Sequence, residues 1–296
     1  MADNIDSFID EEFLKKLEKL KIATKRGLKG PDPGEHRALQ IGDGLEFLDY
    51  RKYNLGDDLR YVDWSVYGRL DKLFIKLFHA EENQTIHILL DMSRSMGWGN
   101  SPKYIAAKKI AAAVSYMCLS NLDKVSIAAF SERILEINPP MRSKRRYSQI
   151  LDFLRVLEPD GRTSINACLS EYASRCSNPG IIVIVSDLLD EKGFQDGLMS
   201  LKIRHFDIHL VQLLDHEEIS WSERGNLLLR ELETGEEKQI YLDGTLLQLY
   251  REKVNHFISN INTYCDNYGI SFYLHDTGIP FEDFLIDYVI KGYLFR

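Results

Sequence analysis

Five oxygen-bearing side chains stand out by type and spacing. Asp91-Met-Ser93-Arg-Ser95 sets one Asp and two Ser at alternate positions. Thr163 lies in Gly161-Arg-Thr-Ser164, and Asp187 follows the apolar run Ile181 to Ser186. Two carboxylates and three hydroxyls form a hard-oxygen set, suited to Mg²⁺, Mn²⁺ or Ca²⁺ and unsuited to zinc. Mg²⁺ takes six oxygens, and hydroxyls with water leave it incompletely neutralised, so a carboxylate from a partner can complete the shell. In such a site the metal bridges two proteins and is not a reagent.

Other chemistries find less support. An aspartyl nucleophile of the phosphatase kind needs a second carboxylate two residues on, and that position is Ser93, whose ordinary hydroxyl does not shuttle protons at neutral pH. The chain has no G-x-x-x-x-G-K-[ST] loop for ATP and no G-x-S-x-G nucleophile elbow. His205 and His209 straddle a helix-to-strand junction, and His216-Glu-Glu218 lacks an HExxH context and reads as a surface turn. A formal charge of −8 argues against general nucleic-acid binding. The one basic cluster, Arg142-Ser-Lys-Arg-Arg146, reads as a solvated first helical turn.

The elements that position these residues alternate in kind. The 296 residues are 44% hydrophobic and 28% charged, the balance of a globular chain. From Thr85 onward the pattern predicts strands at Thr85 to Asp91, Ile181 to Ser186, Ile208 to Leu214 and Ile270 to His275. Helices are predicted at Lys103 to Leu122, Ser143 to Leu157, Ser164 to Cys176, Phe194 to Ile203 and Thr245 to Tyr268. Val125 to Phe130 and Arg133 to Ile137 are separated only by Ser131 and Glu132, which predicts a hairpin with its second strand at a sheet edge. Strands alternating with helices imply a doubly wound, mostly parallel α/β sheet with helices on both faces. In such a sheet, ligands bind outside the carboxyl ends of the strands, where Asp91 and Asp187 are expected. A second hairpin is expected as an insertion at about residues 219–242.

Upstream, residues 6–26 read as a helix. Residues 27–44 read as a glycine-rich loop, and Leu45 to Phe78 as an irregular segment ending in a strand at Leu73 to Phe78. The apolar Phe281 to Phe295 is expected to dock as a helix. This divides the chain into an N-terminal helix with a β-rich extension, 1–80, and a larger domain, 81–296. No run of roughly 20 apolar residues offers a membrane span, and the acidic N-terminus has no signal-peptide layout. Cys118, Cys168, Cys176 and Cys265 have no CxxC spacing and read as reduced thiols of a cytoplasmic protein.

At the five oxygen-bearing residues the sequence resembles the von Willebrand factor A (vWA) superfamily, whose metal-ion-dependent adhesion site (MIDAS) is written DxSxS…T…D. The resemblance implies that Ser93, Ser95 and Thr163 coordinate directly and that Asp91 and Asp187 act directly or through water. Further upstream, Gly44-Leu-Glu-Phe47, Asp49-Tyr-Arg51, Tyr53, Gly56-Asp57-Asp58, Arg60, Asp63-Trp64 and Arg69 resemble the signature of the bacterial and archaeal DUF58 family. That family places this segment before a vWA-like domain. Its members are commonly encoded beside MoxR-type AAA+ ATPases, and this chain resembles those without membrane helices. The implied function is a non-enzymatic protein-binding module that holds Mg²⁺ (or Mn²⁺ or Ca²⁺). Its partners would be such an ATPase and a client presenting an acidic residue. A metal-free structural scaffold is the alternative, and a metal-dependent hydrolase a weaker one. Two departures from the family pattern, Arg162 and Ser164 on either side of Thr163, put positive charge near the site and remove an acid. The Arg51 to Arg69 segment reads either as a docking surface or as a structural network, with Arg51 and Arg60 paired to Asp57, Asp58 or Asp63 and Trp64 in a core.

Overall fold

The computed structural model describes residues 15, 39–40, 47–79, 84–99, 102–230, 235–281 and 283–284. The N-terminal helix expected over residues 6–26 and most of the C-terminal one lie outside these residues. The chain divides into two compact units, Gly30–Asn83 and the residues from Gln84 onward.

The larger unit is built on a six-stranded sheet. Its strands are β4 (Thr85–Asp91), β5 (Lys124–Phe130), β6 (Ile134–Met141), β7 (Ile181–Ser186), β8 (Asp207–Leu214) and β11 (Ser271–Asp276), in the order β11-β8-β7-β4-β5-β6. Every pair is parallel except β5–β6, the expected hairpin. Pro139 and Pro140 lie in the edge strand β6, where proline costs no central ladder bond. The helices are α2 (Lys103–Ser120), α3 (Tyr147–Val156), α4 (Ile165–Arg175), α5 (Gln195–Ile203), the single turn α6 (His216–Ile219) and α7 (Gly244–Tyr268).

The strands are apolar on both faces because both are covered. Ile86, Ile88 and Leu90 of β4 pack with Ile127, Val183 and Val211 against α2 and α3. Leu89, with Ala128, Ile184 and Leu210, packs on the opposite side against α4, α5 and α7. This is the doubly wound sheet that the alternation of strands and helices predicts. The alanines Ala111, Ala112 and Ala113 let α2 lie close among its neighbours, and it is buried nearly all round. Gly180 permits another close approach, since a Cβ there would run into the carbonyl of Thr85. Gly269 closes α7 in the left-handed conformation at φ +60°.

β9 (Gly225–Arg230) and β10 (Glu237–Leu242) form their own antiparallel pair outside the main sheet, at the place expected for the insertion. In the smaller unit β1 (Leu39–Gln40), β2 (Phe47–Lys52) and β3 (Phe74–His79) pair antiparallel in the order β1-β3-β2, with helix α1 (Trp64–Leu70) between β2 and β3. The segment read as irregular is therefore ordered into a strand, a helical turn at Leu59–Tyr61 and α1. Its period was hidden by the charged side chains that cap and tie these short elements. Among the described residues no helix is long and apolar enough to cross a membrane.

Candidate functional site

β4 and β7 are neighbours at the centre of the sheet, but the helices that follow them cover opposite faces. Their carboxyl ends thus flank the crevice expected at a topological switch point. Asp91 ends β4 and Asp187 follows β7, and both are fully buried.

The loop after β4 is built around Asp91. Its Oδ1 accepts the amide of Ser93 at 2.9 Å, which turns the chain at the strand end. Ser93 opens a short 3₁₀ turn, Arg94–Gly97, so the Ser93 and Ser95 hydroxyls fall together, with Oγ atoms 3.1 Å apart. The backbone knits this loop to the one carrying Thr163. The Arg94 amide donates to the Gly161 carbonyl at 3.0 Å, and the Asp160 amide to the Met92 carbonyl at 2.8 Å. Thr163 Oγ1 in consequence reaches Asp91 Oδ2 at 3.4 Å. Asp91 Oδ2 also accepts a 2.6 Å bond from Ser186 Oγ.

The five residues singled out from sequence thus occupy one neighbourhood. Burial pushes the Asp91 carboxyl up to about 6, the charge of Asp187 pushes the same way, and the Ser186 and Ser93 bonds oppose both. Among the described residues, no Lys, Arg or His pairs with Asp91. The partners shown for it are hydroxyls and one amide.

Asp187 is held differently. Its Oδ2 receives Lys103 Nζ at 2.9 Å, and its Oδ1 accepts the Leu189 amide at 3.1 Å. Lys103 is 0% exposed and also reaches Glu218 Oε1 at 2.7 Å. Burial works against its ammonium, but Asp187 and Glu218 more than offset this and hold its pKa above the ordinary lysine value. Burial likewise raises Glu218, against the pull of Lys103. The sequence reading passed over Lys103, Ser186 and Glu218. One signal was available: a lysine at the first position of a helix sits on the wrong end of the helix dipole and calls for acidic partners. Glu218 was read as part of a surface turn. It instead closes a capping box in α6, accepting the Asp215 amide at 2.8 Å, and turns inward to Lys103.

A divalent cation suits this donor set. The Thr163 hydroxyl reaches a buried carboxylate that pairs with no cation among the described residues, the Ser93 and Ser95 hydroxyls lie together in the same loop, and hard oxygen donors match Mg²⁺ or Mn²⁺. Among the described residues, no three His, Cys, Asp or Glu side chains form a group that could hold a metal ion, so the candidate donor set rests on its hydroxyls. A groove of about 1000 Å³ opens beside the site. Ser95, Arg162, Thr163, Trp221, Leu228 and Leu229 are among the residues that line it. Arg162 thus lines the same groove as two of the hydroxyls.

In the smaller unit, Arg51 pairs with Asp57 at 2.9 Å and Arg60 with Asp58. Asp63 caps α1 through the Ser65 and Val66 amides and accepts Tyr50 Oη at 2.8 Å. These bonds match the structural network among the two readings of that segment. Trp64 departs from it: as the first residue of α1 it is 59% exposed, edge-on to Tyr67, and is not in a core. Gly56 takes φ +106° in the turn before Asp57, and Tyr53 is tied to β3 through its amide and the Leu73 carbonyl.

No curated protein matches the chain. Among solved structures, it is similar to an aerotolerance-related membrane protein from Bacteroides fragilis, at 15% identity over 71% of this chain and 98% of the other, with a TM-score of 0.43. The conserved hypothetical protein BatB from Bacteroides thetaiotaomicron is similar at 13% identity over 70% and 98%, with a TM-score of 0.43. The pilus adhesin SpaC from Lactobacillus rhamnosus GG is similar at 9% identity over 73% and 30%, with a TM-score of 0.46. The profile of the family described as "Protein of unknown function DUF58" matches residues 49–256, a span that holds most of the Arg-Asp signature and all five residues of the site, and the chain belongs to that family.

Proposed function

We propose that this protein is a metal-dependent protein-binding module of the vWA type and not an enzyme. In this reading Ser93, Ser95 and Thr163 hold a divalent cation, Mg²⁺ foremost, with Asp91 and Asp187 supplying negative charge beside it. The observation that carries the reading is the buried Asp91 carboxylate, which accepts bonds from the Thr163 and Ser186 hydroxyls and the Ser93 amide and meets no cationic side chain among the described residues. The bound ion would neutralise that charge and present an open position toward the groove, where a partner's carboxylate completes its shell.

The partner presents an acidic side chain with apolar neighbours. Leu228, Leu229 and Trp221 give the groove apolar lining, and Arg162 is one of several charged residues of both signs that line it. The resemblance to DUF58 proteins motivates a MoxR-type AAA+ ATPase, or a client of one, as that partner. The ATPase supplies the work and this chain the recognition.

A second reading has its own observation. The ion pair of Lys103 with Asp187 supplies one carboxylate with a cation already, which favours a metal-free scaffold. Calorimetric titration of Mg²⁺ and Mn²⁺ into chelator-treated protein separates the two. Saturable binding that Asp91→Ala and Asp187→Ala both lose supports the metal module. Folded wild-type protein that takes up neither ion at millimolar concentration supports the scaffold.

A further inference from the structure

Lys103 is an unusual residue to find at full burial. Lysine is almost never enclosed unless paired, and here it also begins a helix, where the peptide dipoles already place positive charge. It meets two acids and shares one ammonium between them, Asp187 Oδ2 at 2.9 Å and Glu218 Oε1 at 2.7 Å. Neither acid is loosely held. Asp187 is fixed by the Leu189 amide. Glu218 is fixed by the Asp215 amide on its other oxygen, while its own carbonyl accepts Tyr250 Oη at 2.7 Å.

We infer that Lys103 is a tethered cation that competes with a divalent ion for Asp187, and that Glu218 is the acceptor that retains the ammonium when the ion binds. The inference rests on the metal reading of the site and adds to it a control of affinity. Both Asp187 oxygens are already engaged, so an arriving ion must share or displace the ammonium. A double positive charge beside a single one repels it strongly in a poorly screened interior. Glu218 lies at 2.7 Å from the same nitrogen, so displacement needs only a small shift of weight from one acid to the other. The Lys103 side chain thereby sets how readily the site fills, and it couples filling to α6, which precedes the insertion β9–β10 that walls the groove.

The test measures Mg²⁺ and Mn²⁺ affinity by calorimetry on the whole chain, with thermal melts at zero and saturating metal. Lys103→Met keeps the stem and removes the charge. It is expected to bind Mg²⁺ at least tenfold more tightly than wild type and to gain more in Tm from added metal. Glu218→Gln leaves the ammonium to Asp187 alone and is expected to bind at least threefold more weakly. A merely structural lysine would lower Tm with and without metal and would not raise affinity. Folded Lys103→Met with unchanged or weaker binding overturns the inference while leaving the metal site standing. Where Lys103→Met does not fold, Glu218→Gln decides, and unchanged or tighter binding overturns it. Binding by Lys103→Met but not by wild type supports it in its strongest form. No binding by wild type or either variant removes the metal reading and this inference together.

Discussion

Asp63 and Asp187 are both buried aspartates at the end of an extended segment, each bonded to a backbone amide and to a lysine, yet their lysines differ. Asp63 spreads its oxygens over the first turn of α1, Tyr50 Oη and the partly exposed Lys76 at 3.1 Å, in a unit where Asp57 pairs with the half-buried Arg51 and Asp58 with the exposed Arg60. Asp187 is sealed at the carboxyl edge of the main sheet with a sealed lysine. In the small unit the charges organise short elements that lack a large core, and water shares the load. In the large unit the core is already sufficient, so charges enclosed in it cost stability unless each is matched. The comparison separates two uses of similar residues, scaffolding with a solvated lysine and poised charge with an enclosed one.

The comparison breaks most visibly at Lys103. Lys103→Ala removes the cation that pairs with Asp187 among the described residues and leaves a buried carboxylate without its match, a change that costs about 3–5 kcal/mol in other buried pairs. Urea unfolding should show a loss of that order, and a loss below about 1 kcal/mol would mean that water reaches the pair.

Next comes His87, a buried base in β4. Its Nδ1 meets Tyr172 Oη at 2.8 Å and its Nε2 meets the Asn178 carbonyl at 3.1 Å, an arrangement that suits the neutral ring. Burial lowers its pKa from 6.5 to about 4, against the bond to Asn178. The unfolded chain thus takes up the proton first as the pH falls. The stabilisation is full above pH 6.5, drains between 6.5 and about 4, and is gone below that, a loss of about 3 kcal/mol. His275, lowered to about 4 chiefly by burial, drains in the same window. His87→Phe should flatten the pH dependence of the urea midpoint in this range, and an unchanged slope would place the effect elsewhere. The exposed His216 has the opposite sign. Its bond to Asp276 raises its pKa, so its small contribution is complete below 6.5 and fades as the pH rises through the raised value.

The small unit should respond less. Asp63→Ala removes the cap of α1 and the Tyr50 bond together and is expected to shift a melting transition modestly, with no effect on metal affinity. Smallest of all, Arg60→Ala breaks an exposed pair with Asp58, and screening by water predicts a melt indistinguishable from wild type. A large loss there would show that the surface network carries more than scaffolding.

The order of the large sheet was legible because buried parallel strands are written as short apolar runs between helices. Ile181 to Ser186 could hardly be anything else once Pro179-Gly180 and Asp187 framed it. The candidate site was legible through Asp91, Ser93 and Ser95 because side chains two apart at a strand end share a turn, and that spacing is local. Asp187 was legible from its place after a predicted strand of the parallel sheet, whereas the role of Thr163 leaned on the family pattern, since nothing local says that its loop meets the others. Lys103 carried a hint in its place at a helix start, but its pairing with Glu218 was not legible, as it joins residues 115 positions apart. Trp64 misled because a large aromatic residue predicts burial by type, whereas its place at the first turn of a short capped helix decides its exposure.

The groove contains one more feature with a practical meaning. Trp98, just after the serine loop, and Trp221, just before the insertion, lie nearly parallel, 14° apart with ring centroids at 6.2 Å. Both line the groove, so an occupant that spreads them is expected to change the aromatic circular dichroism of the protein without a label being attached.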